Sequence, residues 1–246
     1  MYLKRITLLR DKVSSYQSYP FSIPSVKHLH ELELDKAVTF FVGENGSGKS
    51  TLLEAIADKC EFNMAGGGRN NSYQLHASES VLGEYIRLAW LPKVTNGFFL
   101  RAESFYQFAN HLDELKRDDP SYQYQLYGGK SLHHQSHGES FLSLFMNRFK
   151  GGKALYLLDE PEAALSPARQ LAFIKVIHDL ATKGQAQFII ATHSPILLGY
   201  PDADILSFDH EKISRVSYEM TDHYQLTHTF LQNRERVLMD LLKEEP

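Results

Sequence analysis

The sequence predicts an α/β fold: a mainly parallel sheet flanked by helices, with an antiparallel strand-rich flank. Three observations predict it. Short continuous apolar runs at Val38–Val42, Ala154–Leu158 and Phe188–Ala191 read as strands covered on both faces. Stretches of helical periodicity alternate with them, which implies parallel strands joined by right-handed crossovers. Ahead of these, Ile6 and Leu8, then Leu32 and Leu34, alternate with polar residues as half-buried strands do.

Composition is compatible with that fold. The chain has 246 residues, 43% of them hydrophobic and 23% charged, which suits one domain with a sizeable core and excludes wholesale disorder. Lys and Arg number 26 against 30 Asp and Glu, a net charge of −4 that weakens any role in coating nucleic acid by bulk charge. A single cysteine, Cys60, excludes a disulfide scaffold and reads as a small buried residue. No run approaches the ~20 apolar residues of a membrane span, and the start lacks an apolar signal region. The expectation is a cytoplasmic protein without membrane insertion.

The chain reads as one domain over 1–246, with four consecutive parts. Residues 1–101 form a strand-rich lobe. Val38–Val42 leads into a glycine-rich loop, and Leu52, Leu53, Ile56 and Ala57 follow at helical spacing. Gly66–Asn71 is a flexible loop by composition. Val81–Trp90 and Gly97–Arg101 are expected as two more strands. Residues 102–150 carry helical periodicity over 104–118 and 139–149. Residues 151–200 hold the strand Ala154–Leu158, a helix over 167–182 and the strand Phe188–Ala191. Residues 201–246 are expected as short strands over 204–208 and 213–218, then a helix from about 222 to 243. Its Leu226, Phe230, Val237, Leu241 and Leu242 are expected to pack on the sheet.

The loop Gly43-Glu44-Asn45-Gly46-Ser47-Gly48-Lys49-Ser50, followed by Thr51, matches G-x-x-x-x-G-K-[ST] between a buried strand and a helix. Glycines let backbone N–H groups turn inward as an anion nest, and the helix N-terminus adds the positive end of its dipole. Lys49 is expected to neutralise β- and γ-phosphate charge, and Ser50 to offer Mg²⁺ a hard oxygen. Nucleotide binding follows, with ATP and Mg²⁺ as cofactors.

Four apolar residues, Leu155–Leu158, run into Asp159-Glu160-Pro161. Acids at the carboxyl end of a buried strand lie where doubly wound sheets bind ligands. Asp159 is placed to hold Mg²⁺ through a water, and Glu160 to orient or deprotonate an attacking water.

Together with Ala191-Thr192-His193-Ser194-Pro195, these segments resemble the P-loop NTPases of the ABC type. Ser136-His137-Gly138-Glu139 looks like the family's signature motif, and Ala163-Ala164-Leu165-Ser166 resembles its D-loop. Four motifs in the family's order, with no coiled-coil insertion, suggest a compact ABC ATPase head of the SMC/RecF-like branch among AAA-family ATPases. The resemblance implies a homodimer with two ATP molecules between subunits. In it Ser136, Gly138 and Glu139 act in trans on the γ-phosphate of the partner, while Glu160 and His193 are catalytic in cis. Ser136 and Glu139 also have capping-box spacing, so a helix starting there would aim free N–H groups at an anion. Two departures bear on the dimer contacts: His137 stands for the usual glycine, and Ser166 for the D-loop aspartate. The family's Q-loop metal contact falls on either Glu103 or Gln107, and adenine stacking on Tyr19 or Phe21.

Weaker features have plainer explanations. His133, His134 and His137 share a metal-binding face only if helical, which Ser136 as a helix cap opposes. Arg148, Lys150 and Lys153 flank Gly151-Gly152 as a solvated loop. What the ATP cycle drives stays open. One reading is a switch acting with DNA or a second protein subunit in repair or defence. The others are the ATP-binding subunit of a membrane transporter, and a signalling module without turnover.

Overall fold

The computed structural model describes residues 1–63, 80–102, 105–118 and 152–243, with Ser131 and Leu142. Strands β1 (Leu3–Leu8), β2 (Glu31–Glu33) and β4 (Ile86–Trp90) form an antiparallel sheet in the order β2-β1-β4. A six-stranded sheet runs β5-β6-β7-β3-β8-β9, built from β3 (Val38–Val42), β5 (Gly97–Arg101), β6 (Ala154–Asp159), β7 (Ala186–Ala191), β8 (Asp204–Ser207) and β9 (Ser214–Arg215). All its pairings are parallel except β8 with β9. This is the predicted architecture.

The apolar runs are continuous because both faces of the sheet are covered. Phe40, Phe98, Leu158 and Ile190 point to one face, where helix α3 (Phe105–Asp118) brings Phe108 and Leu112 and helix α4 (Pro167–Thr182) brings Phe173 and Ile177. Their neighbours Phe41, Phe99, Leu157 and Ile189 point the other way. There they meet Val26 of the short helix α1 (Pro24–Lys27), Leu52, Leu53 and Ile56 of helix α2 (Lys49–Lys59), and Leu3, Ile6 and Ile86 of the antiparallel sheet. One buried polar side chain ties the two sheets together. Gln187 Oε1 accepts the backbone N–H groups of Tyr2 and Leu3, each at 2.8 Å, and its amide donates to the Leu3 carbonyl at 2.9 Å. Cys60 is buried, as expected.

Three expectations need correction. Val81–Tyr85 is a 3₁₀ turn, and the strand begins only at Ile86. Gly83 lies so close to α2 that a Cβ there would sit 2.0 Å from Asp58 Oδ2, so this stretch folds against the helix instead of extending. The final strand is just Ser214–Arg215, an exposed edge where Arg215 pairs with Asp35 and Asp204. The C-terminal helix breaks at Asn233 into α6 (Asp222–Gln232) and α7 (Arg234–Leu241), and it does not pack on the sheet. Leu226, Phe230, Leu241 and Leu242 are exposed, and Val237 is half-buried. Among the described residues, the sheet's faces are covered by α2, α3, α4 and the antiparallel strands. The short helix α5 (Pro195–Leu198) follows the end of β7. No helix among the described residues is long and apolar enough to cross a membrane.

Candidate nucleotide site

β3, β6 and β7 are adjacent and parallel, so the loops after them open at one end of the sheet. The loop after β3 is the glycine-rich one. Gly43, Gly46 and Gly48 have φ of 141°, 82° and 103°, in the region that favours glycine. At Gly48 a Cβ would also lie 2.6 Å from Ser25 Oγ, so both conformation and space require the glycine. Ser25 in turn donates to the Ser47 carbonyl at 2.5 Å, fixing the loop from outside. Lys49 is folded back over the loop, and its ammonium donates to the carbonyls of Gly43 at 2.5 Å and Glu44 at 3.0 Å. Burial lowers its pKa, an effect opposed by the nearby carboxylates of Glu160 and Asp159.

Ser50, in the first turn of α2, donates to Asp159 Oδ1 at 3.0 Å across the sheet end. Asp159 is 5% exposed, and burial raises its carboxyl to about 6 against the opposing pull of Arg101 and the Ser50 hydroxyl. Arg101 Nε lies 3.5 Å from Asp159 Oδ2, and its guanidinium also donates to Glu54 at 2.6 Å. A cavity of about 240 Å³ opens beside these groups, lined by Ser50, Arg101, Asp159, Glu160, Ala163 and Ala164. Two hard oxygen donors side by side with open space next to them suit Mg²⁺, which keeps several waters and takes few protein ligands. The donor set therefore fits the predicted ion. Among the described residues no group of three or more His, Cys, Asp or Glu forms a metal cluster.

Glu160 follows Asp159 with φ 50°, a left-handed conformation that costs a non-glycine residue about 1–2 kcal/mol. Its N–H donates to the Ala191 carbonyl at 2.9 Å, pinning the turn to the end of β7, while its carboxylate is half-exposed. His193 lies just beyond β7. Its backbone N–H donates to Glu162 Oε1 at 2.6 Å, its Nδ1 is 2.8 Å from His223 Nε2 of α6, and its Nε2 is 3.7 Å from Glu160 Oε1. Burial and then the Lys49 cation lower its pKa, against the opposing pull of the Glu160 carboxylate. Ser194 caps α5, accepting from the N–H groups of Ile196 and Leu197. Its hydroxyl donates to Gln170 of α4, which anchors the turn carrying His193.

The fold thus brings Gly43–Thr51, Asp159, Glu160 and His193 together. Ser136, Gly138, Glu139 and Glu103 lie outside the described residues, as do the histidines at 133, 134 and 137; Gln107 falls within α3, its side chain undescribed. Phe21 is buried against Tyr85, with ring centroids 4.8 Å apart, and is not available to stack on a base. Tyr19 remains, 70% exposed, its hydroxyl 3.4 Å from Thr51 Oγ1. Sequence reasoning missed Asp209, which accepts the Glu44 N–H at 2.7 Å, along with Arg101, Glu162 and His223. A signal existed for Asp209, because it closely follows β8, a parallel neighbour of β3. None existed for His223.

Two family models match the chain. One, described as an AAA domain, spans residues 14–89. The second spans residues 89–199 and is described as an AAA domain linked to AbiEii toxin and the type IV toxin–antitoxin system. The two run without a gap through every motif of the site. Together the two AAA-domain models match residues 14–199 of the chain. The AAA domain also resembles protein ea59 of Escherichia phage lambda, 34% identical over 98 residues, 35% of this chain and only 19% of that protein's length. Among solved structures it overlays an inward-facing ABC transporter described as of metal-chelate type, with TM-score 0.52 and 18% identity over 94% of this chain and 89% of the other. A nucleotide-free ATP-binding cassette from an ABC transporter gives 0.50 and 16% over 99% and 100%. The SMC head domain from Thermotoga maritima gives 0.47 and 18% over 88% and 99%. The overlays with the transporter cassettes show the fold of the domain: an ABC-type P-loop NTPase.

Proposed function

We propose that this AAA domain binds Mg²⁺-ATP, hydrolyses it, and uses ATP to bridge two copies of the chain. The observation that carries the reading is the convergence of Lys49, Ser50, Asp159, Glu160 and His193 on one end of the parallel sheet. Lys49 releases the loop carbonyls and turns to the β- and γ-phosphates. Ser50 and, through a water, Asp159 would hold Mg²⁺, which when bound would neutralise charge on the phosphate oxygens. Glu160, half-exposed at the mouth of the cavity, accepts a proton from the attacking water. His193 donates from Nε2 to the γ-phosphate.

Completion in trans by Ser136, Gly138 and Glu139 makes ATP the link between subunits and hydrolysis its release, which is the logic of a switch or motor. His137 and Ser166 depart from the family pattern at that contact, so a dimer that forms only at high protein concentration is compatible with the reading. The toxin–antitoxin association of the matching family model favours a defence or DNA-related complex. The ATP subunit of a membrane transporter is the rival reading, favoured by the overlays on transporter cassettes, which at 16–18% identity reflect fold alone.

Light scattering of a Glu160→Gln protein tests the proposal. Mg²⁺-ATP should shift it from monomer to dimer, and adding Ser136→Arg should remove the shift while leaving ATP binding intact. A Glu160→Gln protein that stays monomeric at every concentration, with wild-type protein hydrolysing ATP at the same rate per subunit whatever its concentration, overturns the bridging role.

A further inference from the structure

We propose that His223, on the C-terminal helix α6, is a positioning residue for ATP hydrolysis that holds His193 in the tautomer able to donate to the γ-phosphate. The inference rests on the ATPase reading of the site, but its geometry stands apart from it. His193 Nδ1 and His223 Nε2 are 2.8 Å apart, and the two rings lie 4.9 Å between centroids at 53°. Across such a contact a single N–H lies between the two ring nitrogens, so one ring donates and the other accepts. If His193 donated, its Nε2 would be a bare lone pair. That atom is buried, has no hydrogen-bond partner among the described residues, and sits 3.7 Å from the Glu160 carboxylate, an acceptor. Lone pair would face lone pair, and nothing would be left to offer an anionic phosphate. If His223 donates, His193 carries its proton on Nε2, toward Glu160 and the phosphate loop. Only the second arrangement turns an N–H rather than a lone pair toward the Glu160 carboxylate while keeping the hydrogen bond between the two rings.

The surroundings hold His223 in place for this task. It is the second residue of α6, whose start is capped by Thr221 Oγ1 accepting from the Tyr224 N–H at 3.3 Å. Just ahead of the helix, the Tyr218 hydroxyl donates to the Pro195 carbonyl at 2.9 Å, two residues beyond His193. The helix start is therefore tied to the same turn that carries the catalytic histidine. From the opposite side, the Glu162 carboxylate holds the His193 backbone N–H. Backbone and ring are thus fixed by different partners, and removing His223 frees the ring alone.

The test compares His223→Leu with His223→Gln in the full-length chain, after thermal melts establish that both fold. Glutamine places an amide N–H near the former Nε2 position and can donate to His193; leucine fills the space without a donor. Hydrolysis should fall about tenfold in His223→Leu, the effect expected of one oriented hydrogen bond, and stay within about threefold of wild type in His223→Gln. ATP affinity by calorimetry should change less than the turnover rate in both. Equal losses in the two variants, or better activity with leucine, would assign His223 to packing and overturn the proposal. Ring ¹⁵N spectra of His193 give a readout independent of turnover. The wild type should show the Nε2–H tautomer and His223→Leu a mixture. An unchanged tautomer in His223→Leu overturns the positioning role. If the wild type fails to hydrolyse ATP while its His193 tautomer still depends on His223, the ATPase reading falls and the histidine pair stands.

Discussion

Asp159 is a carboxylate held against its preference. Its folded pKa of about 6 exceeds the ordinary 3.8, so the folded state retains a proton that the unfolded chain has lost. The contribution of that proton favours folding in full below about pH 4 and is gone once the pH passes about 6. At neutral pH the buried, ionised side chain is a cost to stability, one that the proposed Mg²⁺ site would offset by using the charge. Asp159→Asn should therefore stabilise the nucleotide-free protein by about 1–3 kcal/mol at pH 7.5. Denaturant melts across pH should show that gain shrinking to nothing near pH 4, where the wild-type carboxyl is itself neutral. At this scale the sequence was informative wherever one short segment carried the chemistry. Lys49, Ser50, Asp159, Glu160 and His193 all belong to contiguous patterns beside buried strands. Asp209, Arg101 and His223 reach the site from segments whose local sequence says nothing about phosphate, and only the folded chain brings them there.

Elements were legible to the degree that burial shaped them. Strands β3, β6 and β7 are covered on both faces, and their apolar runs have no competing explanation once a helix follows each one. The stretch 81–85 is apolar enough to pass for strand, yet Gly83 lets it press against Asp58 of α2 and curl. The C-terminal periodicity is real, but it belongs to two helices whose apolar side chains face away from a sheet already covered. The element that most constrains the site is the turn from β3 into α2. Its Gly48 has φ 103° and no room for a Cβ beside Ser25, so Gly48→Ala meets both backbone strain and a clash. The variant should lose at least ~1 kcal/mol of stability, and its ATP affinity should fall by tenfold or more because the anion nest is displaced. Chemical denaturation and nucleotide titration measure the two effects separately.

At the scale of the whole molecule, the fold sets the ends of β3, β6 and β7 side by side, and with them the charges that a nucleoside triphosphate requires. The parallel sheet, the antiparallel flank and the resemblance to AAA and ABC-type ATPase domains were readable from motif order and hydrophobic pattern. Less readable was the C-terminal helix pair, which joins the site through a histidine instead of covering the core. The account stands or falls on whether this sheet end hydrolyses ATP with Glu160 as the proton acceptor. Phosphate release with Mg²⁺-ATP, compared between wild type and a Glu160→Gln protein shown by calorimetry to bind ATP, measures that most directly. The account predicts steady turnover by the wild type and a loss of about 100-fold or more in the variant, as removal of a general base does. Turnover by Glu160→Gln at the wild-type rate would contradict it.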